Sequence, residues 1–525
     1  MSSTLLRRAA LLLTGSLAAT VSPLSATAQI TVVNTNQAGV GFNDPTAATP
    51  VGGNAGTTVG QQRLNAFQYA ADLWASLLTS DVEIRIQSSF EALTCAATSG
   101  VLGSAGPINV VSDFTPGAQF AGTWYPIALA NKRAGRALIA GSDDIRARFN
   151  SEVGKTGCLE ASSWYYGLDN KAGAAQIDLV NTLLHEFGHG LGFLTLVDPT
   201  SGQQLMGDPD VFERRIFDTT GGGPWVGMSD AQRAASAKNA LRLAWNGPNV
   251  TAAAPGTLTP GTPILEVISP AAIAGELNIG TASFGPAIGA AAISGPLVQA
   301  LDPADTAGPT TFDACSPLTN AAAIAGKIAF VDRGTCTFVV KTKNAQSAGA
   351  LALIVTDNVD GNPPPGLGGT DPTITIPAVR ITKADGDRIK ANIGAGVSVT
   401  LRLDPTRLAG ADSKGRVLLY ATDPIIPGSS VSHFDPSATP DLLMEPNDTP
   451  LPKQGVDLTL PALLDIGWGP VDDSDDDGVV DSLDNCRDLF NPGQEDSNHN
   501  GIGNACERSI QKSSPRGGTR VVKNR

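Results

Sequence analysis

The stretch QIDLVNTLLHEFGHGLGF, residues 176–193, combines a helical apolar pattern with a dense group of polar residues. Its apolar side chains recur every three or four positions, which is the spacing of one face of an α-helix. That face comprises Ile177, Val180, Leu184, Phe187 and Leu191. The pattern predicts a buried helix over Gln176–Leu191, and Gly190 and Gly192 near its end are typical of a helix C-terminus.

The predicted helix carries His185, Glu186 and His189. Two histidines four residues apart project from one face about a turn apart, so both imidazoles can reach a single zinc ion, while the carboxylate between them points at the open position of that ion. Zinc lowers the pKa of a bound water towards about 7, and Glu186 can take its proton during attack on a carbonyl and pass it to the leaving amine. The motif predicts metal-assisted hydrolysis of peptide bonds. A chance match is the alternative, but two of the chain's four histidines lie in this motif.

A third zinc ligand has to come from elsewhere in the chain, because a catalytic zinc site uses three protein ligands. The continuation Gly190-Leu191-Gly192-Phe193 resembles the extended signature of the metzincin peptidases. In most metzincins the third histidine follows at once, whereas here Thr195 occupies that position. Asp198, close behind the helix, is one candidate for the third ligand.

A second candidate is His433, which opens the stretch SHFD, residues 432–435, and is followed by DLLMEP, residues 441–446. These two stretches resemble the leishmanolysin-like branch of the metzincins, in which the third zinc histidine comes after an insertion and a methionine turn lies beneath the metal. The resemblance implies that His433 is the third ligand and Met444 the methionine of the turn. A surface histidine and an ordinary core methionine are the alternatives.

The insertion between the two halves has a pattern of its own, an alternation of strands and helix that is typical of a small α/β module. Strands are predicted at 327–332, 352–356, 374–380 and 397–403, and a helix at 339–350. The stretch GKIAFVDRGTCTF, residues 326–338, resembles the protease-associated domains. The resemblance implies a non-catalytic module that acts as a lid, recruits substrate or binds a partner, and plain structural filler is the alternative.

Residues 471–507 carry 11 Asp or Glu against one Arg, and so contribute −10 to a net charge of −14. Carboxylates at alternating positions, with a glycine for a sharp bend, are the pattern of a calcium loop. The predicted ligands are Asp473, Asp475, Asp477, the carbonyl of Val479, Asp481 and Asp484, with Gly478 at the bend. The whole stretch resembles a pair of thrombospondin type 3 repeats, which implies a second, weaker site at Asp496, Asn498 and Asn500. A disordered acidic linker is the alternative.

The first residues are typical of a secretory signal peptide, with Arg7 and Arg8, an apolar run from Ala9 to Val21 and a small-x-small pattern at 26–28. A membrane anchor fits less well, because Thr and Gly interrupt the run. Six cysteines suit an oxidising compartment. Neighbours in sequence are expected to pair, although 15 full pairings are possible and a three-cysteine zinc site is an alternative. The expected disulfides are Cys95–Cys158, Cys315–Cys336 and Cys486–Cys506.

The composition of the 525-residue chain is that of a loop-rich globular protein, with 42% apolar and 16% charged residues, 58 Gly and 36 Pro. Collagen, coiled coil and wholesale disorder are excluded. Residues 508–525 carry six Lys or Arg and no acid, which predicts a solvated tail. Because that tail is short and the rest of the chain is acidic, no nucleic-acid partner is expected.

Together these predictions describe an α+β chain, in which a metzincin-like zinc peptidase domain is interrupted by a β-rich α/β protease-associated domain and followed by an irregular calcium-bound repeat. The expected boundaries are 1–28 for the signal peptide, 29–250 and 406–470 for the peptidase halves, 251–405 for the insertion, 471–507 for the calcium repeats and 508–525 for the basic tail.

We therefore expect a secreted, extracellular zinc endopeptidase that acts on proteins or peptides, with catalytic zinc, structural calcium and no transmembrane segment in the mature chain. A surface or matrix partner is expected through the accessory modules. The alternative is a secreted calcium-dependent adhesion or matrix-binding protein that uses a protease fold as a scaffold. Hydrolysis of something other than a peptide is a third possibility, because zinc and a base do not choose the substrate.

Overall fold

This computed structural model describes residues 27–221, 223–447 and 455–470, and beyond them residues 473, 475, 477, 479, 481, 484–487, 489–497 and 501–507. The basic tail and all but two residues of the predicted signal peptide lie outside this range, and so do Gly478, Asn498 and Asn500. Within the described part of the chain, no helix is long and apolar enough to cross a membrane.

The α-helices occur in both halves of the chain and in the insertion between them. They are α1 (Val59–Leu77), α2 (Ile127–Ala134), α3 (Leu179–Leu191), α4 (Asp230–Ser236), α5 (Pro248–Thr257), α6 (Ala321–Ile324), α7 (Phe338–Ser347), α8 (Lys383–Asn392) and α9 (Thr459–Leu463).

The strands that precede the insertion are mostly short. They are β1 (Ile30–Asn34), β2 (Ile84–Glu91), β3 (Cys95–Ala96), β4 (Ser99–Gly100), β5 (Gly103–Pro107), β6 (Val110–Val111), β7 (Tyr125–Pro126), β8 (Ile145–Asn150), β9 (Ser163–Tyr165), β10 (Gln176–Asp178), β11 (Ile216–Asp218), β12 (Gly223–Pro224) and β13 (Leu243–Trp245).

The main sheet of this half has the strand order β1-β2-β8-β5. The strands β1, β2 and β8 run parallel, whereas β5 is antiparallel to β8 and lies at the end of the sheet. In β8 the buried residues Ile145, Ala147 and Phe149 alternate with the exposed residues Arg146 and Arg148. One face of the sheet therefore packs on the core and the other faces solvent.

The helix α3 packs between this sheet and α1, whose Trp74 donates from Nε1 to the carbonyl of Leu184 at 3.1 Å. It begins three residues later than the apolar pattern predicts. Gln176–Asp178 form β10 and pair with β9, and the Asp178 carboxylate accepts hydrogen bonds from the N–H groups of Val180 and Asn181. Asp178 is thus the N-cap residue of the helix. Its hydrogen bonds, rather than the spacing of the apolar residues, determine where the helix begins.

The insertion is built on an eight-stranded sheet. Its strands are β14 (Pro260–Ser269), β15 (Gly275–Leu277), β16 (Ile279–Thr281), β17 (Ile293–Gln299), β18 (Ile328–Asp332), β19 (Ala352–Thr356), β20 (Ala378–Ile381) and β21 (Ser398–Leu408). The strand order is β15-β14-β21-β17-β18-β19-β20-β16, in which β17 to β20 run parallel and the other neighbours antiparallel. The sheet thus spans residues 260–408, so it begins inside the expected start of the insertion at 251 and ends just beyond the expected end at 405.

The two halves that flank the insertion share one hydrophobic core, which draws its residues from 28–258 and 411–468. The insertion has two clusters of its own on the faces of its sheet. Asp465, fully buried, accepts from Trp245 Nε1 at 2.8 Å and from the N–H groups of Asn249 and Val250 at 2.8 and 3.2 Å. This carboxylate binds the later half to the N-terminus of α5 in the earlier half.

Candidate active site

Three histidines meet at the end of α3. The Nε2 atom of His189 lies 3.1 Å from that of His185 and 3.2 Å from that of His433, and the Nε2 atoms of His433 and His185 are also 3.2 Å apart. His185 and His189 come from the helix, whereas His433 comes from the chain after the insertion. The fold thus closes a gap of 244 residues to complete the group.

The other ring nitrogen of each histidine is held by a backbone carbonyl. The Nδ1 atom of His185 is 2.7 Å from the oxygen of Leu443, that of His189 is 2.7 Å from the oxygen of Phe193, and that of His433 is 2.8 Å from the oxygen of Ser429. A carbonyl oxygen only accepts, so each Nδ1 carries a proton and each Nε2 presents a lone pair to the centre of the group.

Burial keeps these imidazoles neutral. It lowers the pKa of His185 to about 4 and that of His189 to about 3, and it lowers the pKa of His433 well below its usual value. Three lone pairs that face one another at about 3 Å repel unless a cation lies among them. Zn–N bonds of about 2.0–2.1 Å in a tetrahedral site place ligand nitrogens about 3.3 Å apart. The donor set and its spacing therefore fit a zinc ion held by His185, His189 and His433.

A tight turn lies under this group and carries Met444, which is fully buried. A Cβ atom on Gly188 would stand only 2.9 Å from the Met444 sulfur, so α3 needs a glycine where the turn packs against it. Leu443 N donates to an Asp457 carboxylate oxygen at 2.5 Å, and Leu442 N donates to Glu445 Oε1 at 2.9 Å. The buried Glu445 and the half-buried Asp457 fix the turn whose Leu443 carbonyl orients His185.

Thr195 and Asp198 lie outside the histidine group. The Thr195 hydroxyl donates to Asp210 at 2.8 Å, and the Thr195 N–H donates to the Ser432 hydroxyl at 3.2 Å. Asp198 accepts from the Thr200 N–H at 2.9 Å and the Ser201 hydroxyl at 2.7 Å in a local turn. Thr195 thus links the loop after α3 to the segment that carries His433, and Asp198 is not one of the residues that converge.

Glu186 reaches from α3 to the end strand of the sheet. Its Oε2 atom accepts from the N–H of Ala105 at 2.8 Å, and only 8% of the residue is exposed. Burial raises the pKa of Glu186 to about 8, and a carboxyl group with a raised pKa suits the transfer of protons near neutral pH. Gly103 in the same strand also lies close to Glu186, because a Cβ atom on Gly103 would stand 3.1 Å from the Cγ atom of Glu186.

Among the described residues no strand pairs with the outer edge of β5, on which the Ala105 N–H donates to Glu186. Asn150 N donates to the oxygen of Leu102 and Ile108 N donates to the oxygen of Asp144, at 2.9 and 2.8 Å. In an antiparallel pair the residues of one strand alternate between bonding the neighbour and facing away from it. Ser104 and Gly106 therefore bond β8, while the backbone groups of Gly103, Ala105 and Pro107 point away from the sheet. An extended peptide could add to this edge.

The acidic segment brings a second group together. Carboxylate oxygens of Asp473, Asp475 and Asp477 lie within 4.8 Å of one another. Burial and the neighbouring carboxylates, Asp477 and Asp484 foremost, raise the pKa of Asp475 to about 7. One oxygen of Asp475 and one of Asp484 are buried without a hydrogen-bond partner. Unpartnered oxygens in a crowded acidic group fit a hard cation, which prefers oxygen ligands.

The other predicted calcium ligands occupy different surroundings. Val479 N donates to Asp477 Oδ1 at 2.8 Å, and Asp481 forms an ion pair with Arg487 at 2.7 Å rather than joining the group of three. Asp496 accepts from the Gly501 N–H at 2.8 Å. Asn498 and Asn500, predicted to complete the second site with Asp496, lie outside the described residues.

The six cysteines form three disulfides between neighbours in sequence, so the expected pairing is confirmed and the three-cysteine zinc site is excluded. They are Cys95–Cys158, Cys315–Cys336 and Cys486–Cys506.

Several groups of the site could not be predicted from the sequence. The carbonyls of Phe193, Ser429 and Leu443 act through the backbone, which leaves no mark in the side-chain pattern. Ala105 acts through its N–H, for the same reason. Asp457 carries an acidic side chain 13 residues after Met444, and only its hydrogen bond from Leu443 N distinguishes it from a surface carboxylate.

Comparison with known proteins identifies the insertion. Residues 293–389 match the PA domain family. The insertion contains a PA domain. The predicted protease-associated module is thereby confirmed, and its sheet strands β17 to β20 fall within the matched residues of the PA domain.

Relatives with different activities share only a part of this chain. A probable lipoprotein aminopeptidase, LpqL, of Mycobacterium tuberculosis is 34% identical over 23% of this chain and 21% of its own. Vacuolar-sorting receptor 3 of Arabidopsis thaliana is 42% identical over 14% of this chain and 13% of its own, and the minor extracellular protease Vpr of Bacillus subtilis is 29% identical over 22% and 15%. This chain thus spans about a fifth or less of these proteins, two of which are peptidases.

Solved structures give the same partial picture. An aminopeptidase from Aneurinibacillus sp. strain AM-1 is 26% identical and covers 28% of this chain and 31% of its own, with a TM-score of 0.21. BSAP, a zinc aminopeptidase from Bacillus subtilis, is 23% identical and covers 29% and 35%, with a TM-score of 0.20. These TM-scores are too low to support an inference about the rest of the fold.

Proposed function

We propose that this protein is a secreted zinc endopeptidase of the metzincin type, nearest its leishmanolysin-like branch. The observation that carries the proposal is the convergence of three neutral histidines, His185, His189 and His433, with Glu186 beside them. Each Nε2 lone pair faces a common centre because a carbonyl holds the opposite nitrogen. A scaffold protein has no physical need for three such lone pairs and an adjacent buried carboxyl group.

Bound zinc would supply a Lewis acid that polarises the scissile carbonyl and acidifies a water molecule. The residues of the chain transfer the protons, orient the carboxylate and support the histidines. Glu186 takes the proton of the attacking water and delivers it to the nitrogen of the leaving amine. The N–H of Ala105, 2.8 Å from Oε2, orients the carboxylate for both transfers. Met444 and the turn around it keep His185 in place from below.

The edge of β5 offers a means of holding the substrate in an extended conformation. Backbone groups of Gly103 and Pro107 lie on either side of Ala105, which contacts Glu186, so acceptors are available on both sides of the reacting position. Strand addition to a free edge supplies main-chain hydrogen bonds without regard to sequence. Binding on both sides of the scissile bond favours an endopeptidase over an aminopeptidase, although the aminopeptidases named above act on chain ends.

The PA domain is proposed as a non-catalytic module that recruits substrate, acts as a lid or binds a surface or matrix partner. Asn362 of the PA domain exchanges two backbone hydrogen bonds, of 3.0 and 2.8 Å, with Asp423, which lies in the part of the chain after the insertion. Three residues before Asp423, Tyr420 N donates to the carbonyl of His433 at 2.9 Å. The PA domain therefore contacts the segment that pairs with the residues around His433, which supports a role close to the active site.

Calcium is proposed as a structural ion of the segment 471–507, with Asp473, Asp475 and Asp477 as its first ligands. The unpartnered oxygens of Asp475 and Asp484 support this proposal. Export is proposed from the first 28 residues and agrees with three disulfides in one chain.

The test is bound metal and casein hydrolysis, measured on the purified protein beside three variants. Glu186→Gln should retain one zinc and lose activity by about 100-fold or more, because proton transfer supplies about 10²–10⁴. His433→Ala should lose zinc and activity together. Asp198→Asn is the matched control and should keep both.

Two results would contradict the proposal in different ways. Full zinc and activity in His433→Ala would remove the third ligand and the leishmanolysin-like assignment. A wild-type protein that binds zinc but cleaves neither casein nor denatured peptides would favour the adhesion scaffold instead.

A further inference from the structure

The solvent face of the main sheet carries an arginine pair next to the proposed substrate edge. Arg146 and Arg148 alternate with buried residues along β8, so both side chains lie on the exposed face. They are paired across the sheet with Gly106 and Ser104 of β5. The whole chain has a net charge of −14, whereas these two arginines make the surface beside the edge strand locally positive.

A shallow groove of about 300 Å³ joins the arginines to the edge strand. Its lining comprises Ser104, Ala105, Gly106, Pro107, Ile108, Arg146 and Arg148. The residues between the arginines and the free edge are small. A Cβ on Gly106 would meet no atom within 4 Å, so the space above that position is open. An arginine side chain can cross β5 there without displacing anything.

The arginines have only weak competing partners among the described residues. Arg146 donates from Nε to the amide oxygen of Gln87 at 3.0 Å, a neutral group that leaves its charge uncompensated. Arg148 lies 3.6 Å from Glu91, and both side chains are close to half exposed. Exposed ion pairs of that kind are weak, so Glu91 does not hold Arg148 away from another carboxylate.

A peptide added to the edge of β5 would place alternate side chains on the same face as the arginines. Strands lie about 4.8 Å apart, so the added strand would be about 9.6 Å from β8. That distance is within the combined reach of an arginine and a glutamate side chain, because both are long and flexible. Two substrate positions qualify, one opposite Ser104 and one opposite Gly106, and they are two residues apart.

We propose that Arg146 and Arg148 select substrates with acidic side chains at these two positions, with glutamate preferred to aspartate for its length. The proposal rests on the proposed peptidase function and names its substrate class. Guanidinium groups suit this role because they pair with carboxylates through two parallel hydrogen bonds.

The test uses ten-residue fluorogenic peptides in which Glu, Gln or Lys replaces one residue at a time, so the register need not be known beforehand. The wild-type enzyme should prefer Glu over Gln by about three- to tenfold in kcat/KM at two positions spaced by two, with most of the change in KM, as expected of partly exposed charge pairs. Arg146→Gln and Arg148→Gln should each abolish the preference at one position. The double variant Arg146→Glu/Arg148→Glu should prefer Lys at both.

Arg85→Gln is the matched control. Arg85 lies on β2, farther from the edge, and its guanidinium pairs with Asp143 at 2.9 Å, so its removal should leave both preferences unchanged. In 0.5 M NaCl the wild-type preference should shrink, because salt screens exposed pairs.

The outcomes separate the two proposals. A wild-type enzyme that binds zinc and cleaves casein, yet cleaves the Glu and Gln peptides equally at every position, overturns the acidic preference and leaves the peptidase intact. A preference that survives both Gln substitutions also overturns it. Absence of zinc or of any cleavage overturns the peptidase function, and the acidic preference falls with it.

Discussion

The histidine group and the acidic segment hold their predicted metal ligands by different means. The carbonyl of Leu443, which is distant in sequence, orients His185, whereas His189 and His433 are each oriented by a carbonyl four residues away. Leu443, Phe193 and Met444 belong to the large core. The acidic side chains are held within their own segment, as when Asp484 accepts from Cys486 N and Asp477 from Val479 N. No described residue of 473–507 belongs to a hydrophobic cluster.

This difference teaches where the free energy for each site comes from. Burial of apolar surface places the histidines, and this favourable contribution to the free energy is present with or without a bound metal. The carboxylates repel one another and have no core beneath them, so under the proposed calcium site the cation and the Cys486–Cys506 disulfide would supply the order. One site should therefore persist without its ion and the other should not.

The largest expected effect is on hydrogen exchange after metal removal. If calcium orders this segment as proposed, its chelation should raise amide exchange in residues 473–507 by about 100-fold or more and expose them to proteolysis. Removal of zinc should change exchange in α3 by less than about threefold. Mass spectrometry of both apo forms measures this. Equal protection of 473–507 with calcium and with chelator would break the comparison.

The next effect concerns the core that supports the histidines. Asp465→Ala should lower the free energy of unfolding of the two halves that flank the insertion by about 3–5 kcal/mol, because it leaves buried N–H donors without an acceptor. The control Asp198→Ala removes an exposed carboxylate and should cost less than about 1 kcal/mol. Urea unfolding followed by tryptophan fluorescence gives both values. A cost for Asp465→Ala no greater than that of the control would show that the two halves are held together otherwise.

A somewhat smaller effect should follow loss of the disulfide in the acidic segment. Closure of a loop of this length is worth about 3 kcal/mol, so Cys486→Ser/Cys506→Ser should weaken calcium binding by about 100-fold. Calorimetric titration with calcium measures it. Zinc content should be unchanged in the same protein, and calcium affinity equal to the wild type would mean that the carboxylates are ordered without the disulfide.

The smallest effect is expected at Met444. Met444→Leu keeps the volume of the side chain, and such a swap in a core costs less than about 1.5 kcal/mol. Zinc should be retained and kcat/KM for casein should fall by less than about tenfold. A loss of zinc in this variant would show that the sulfur itself, rather than the packing of the turn on Gly188, maintains the site.

Much of the fold could be predicted from local pattern. The helix that carries His185, the strand at 352–356 and the disulfides follow from spacing and neighbourhood, because these depend on residues close in sequence. The short strand β5 could not be found. Gly103 to Pro107 are small residues with no alternation, and their strand exists only because β8 pairs with them.

The site shows the same division. The sequence by itself determined which residue types could serve as the proposed metal ligands, since histidines at helical spacing and alternating carboxylates are local features. It also predicted the PA domain, which the comparison confirms at residues 293–389.

Only the tertiary structure decided that Thr195 is bound to Asp210, that Glu186 meets the N–H of Ala105, and that His433 crosses 244 residues to meet His189. The physical reason is that these contacts join residues that are apart in sequence, through the backbone N–H of Ala105 in one case and through burial of the two halves in one core in the others. Neither leaves a periodic trace in the order of side chains.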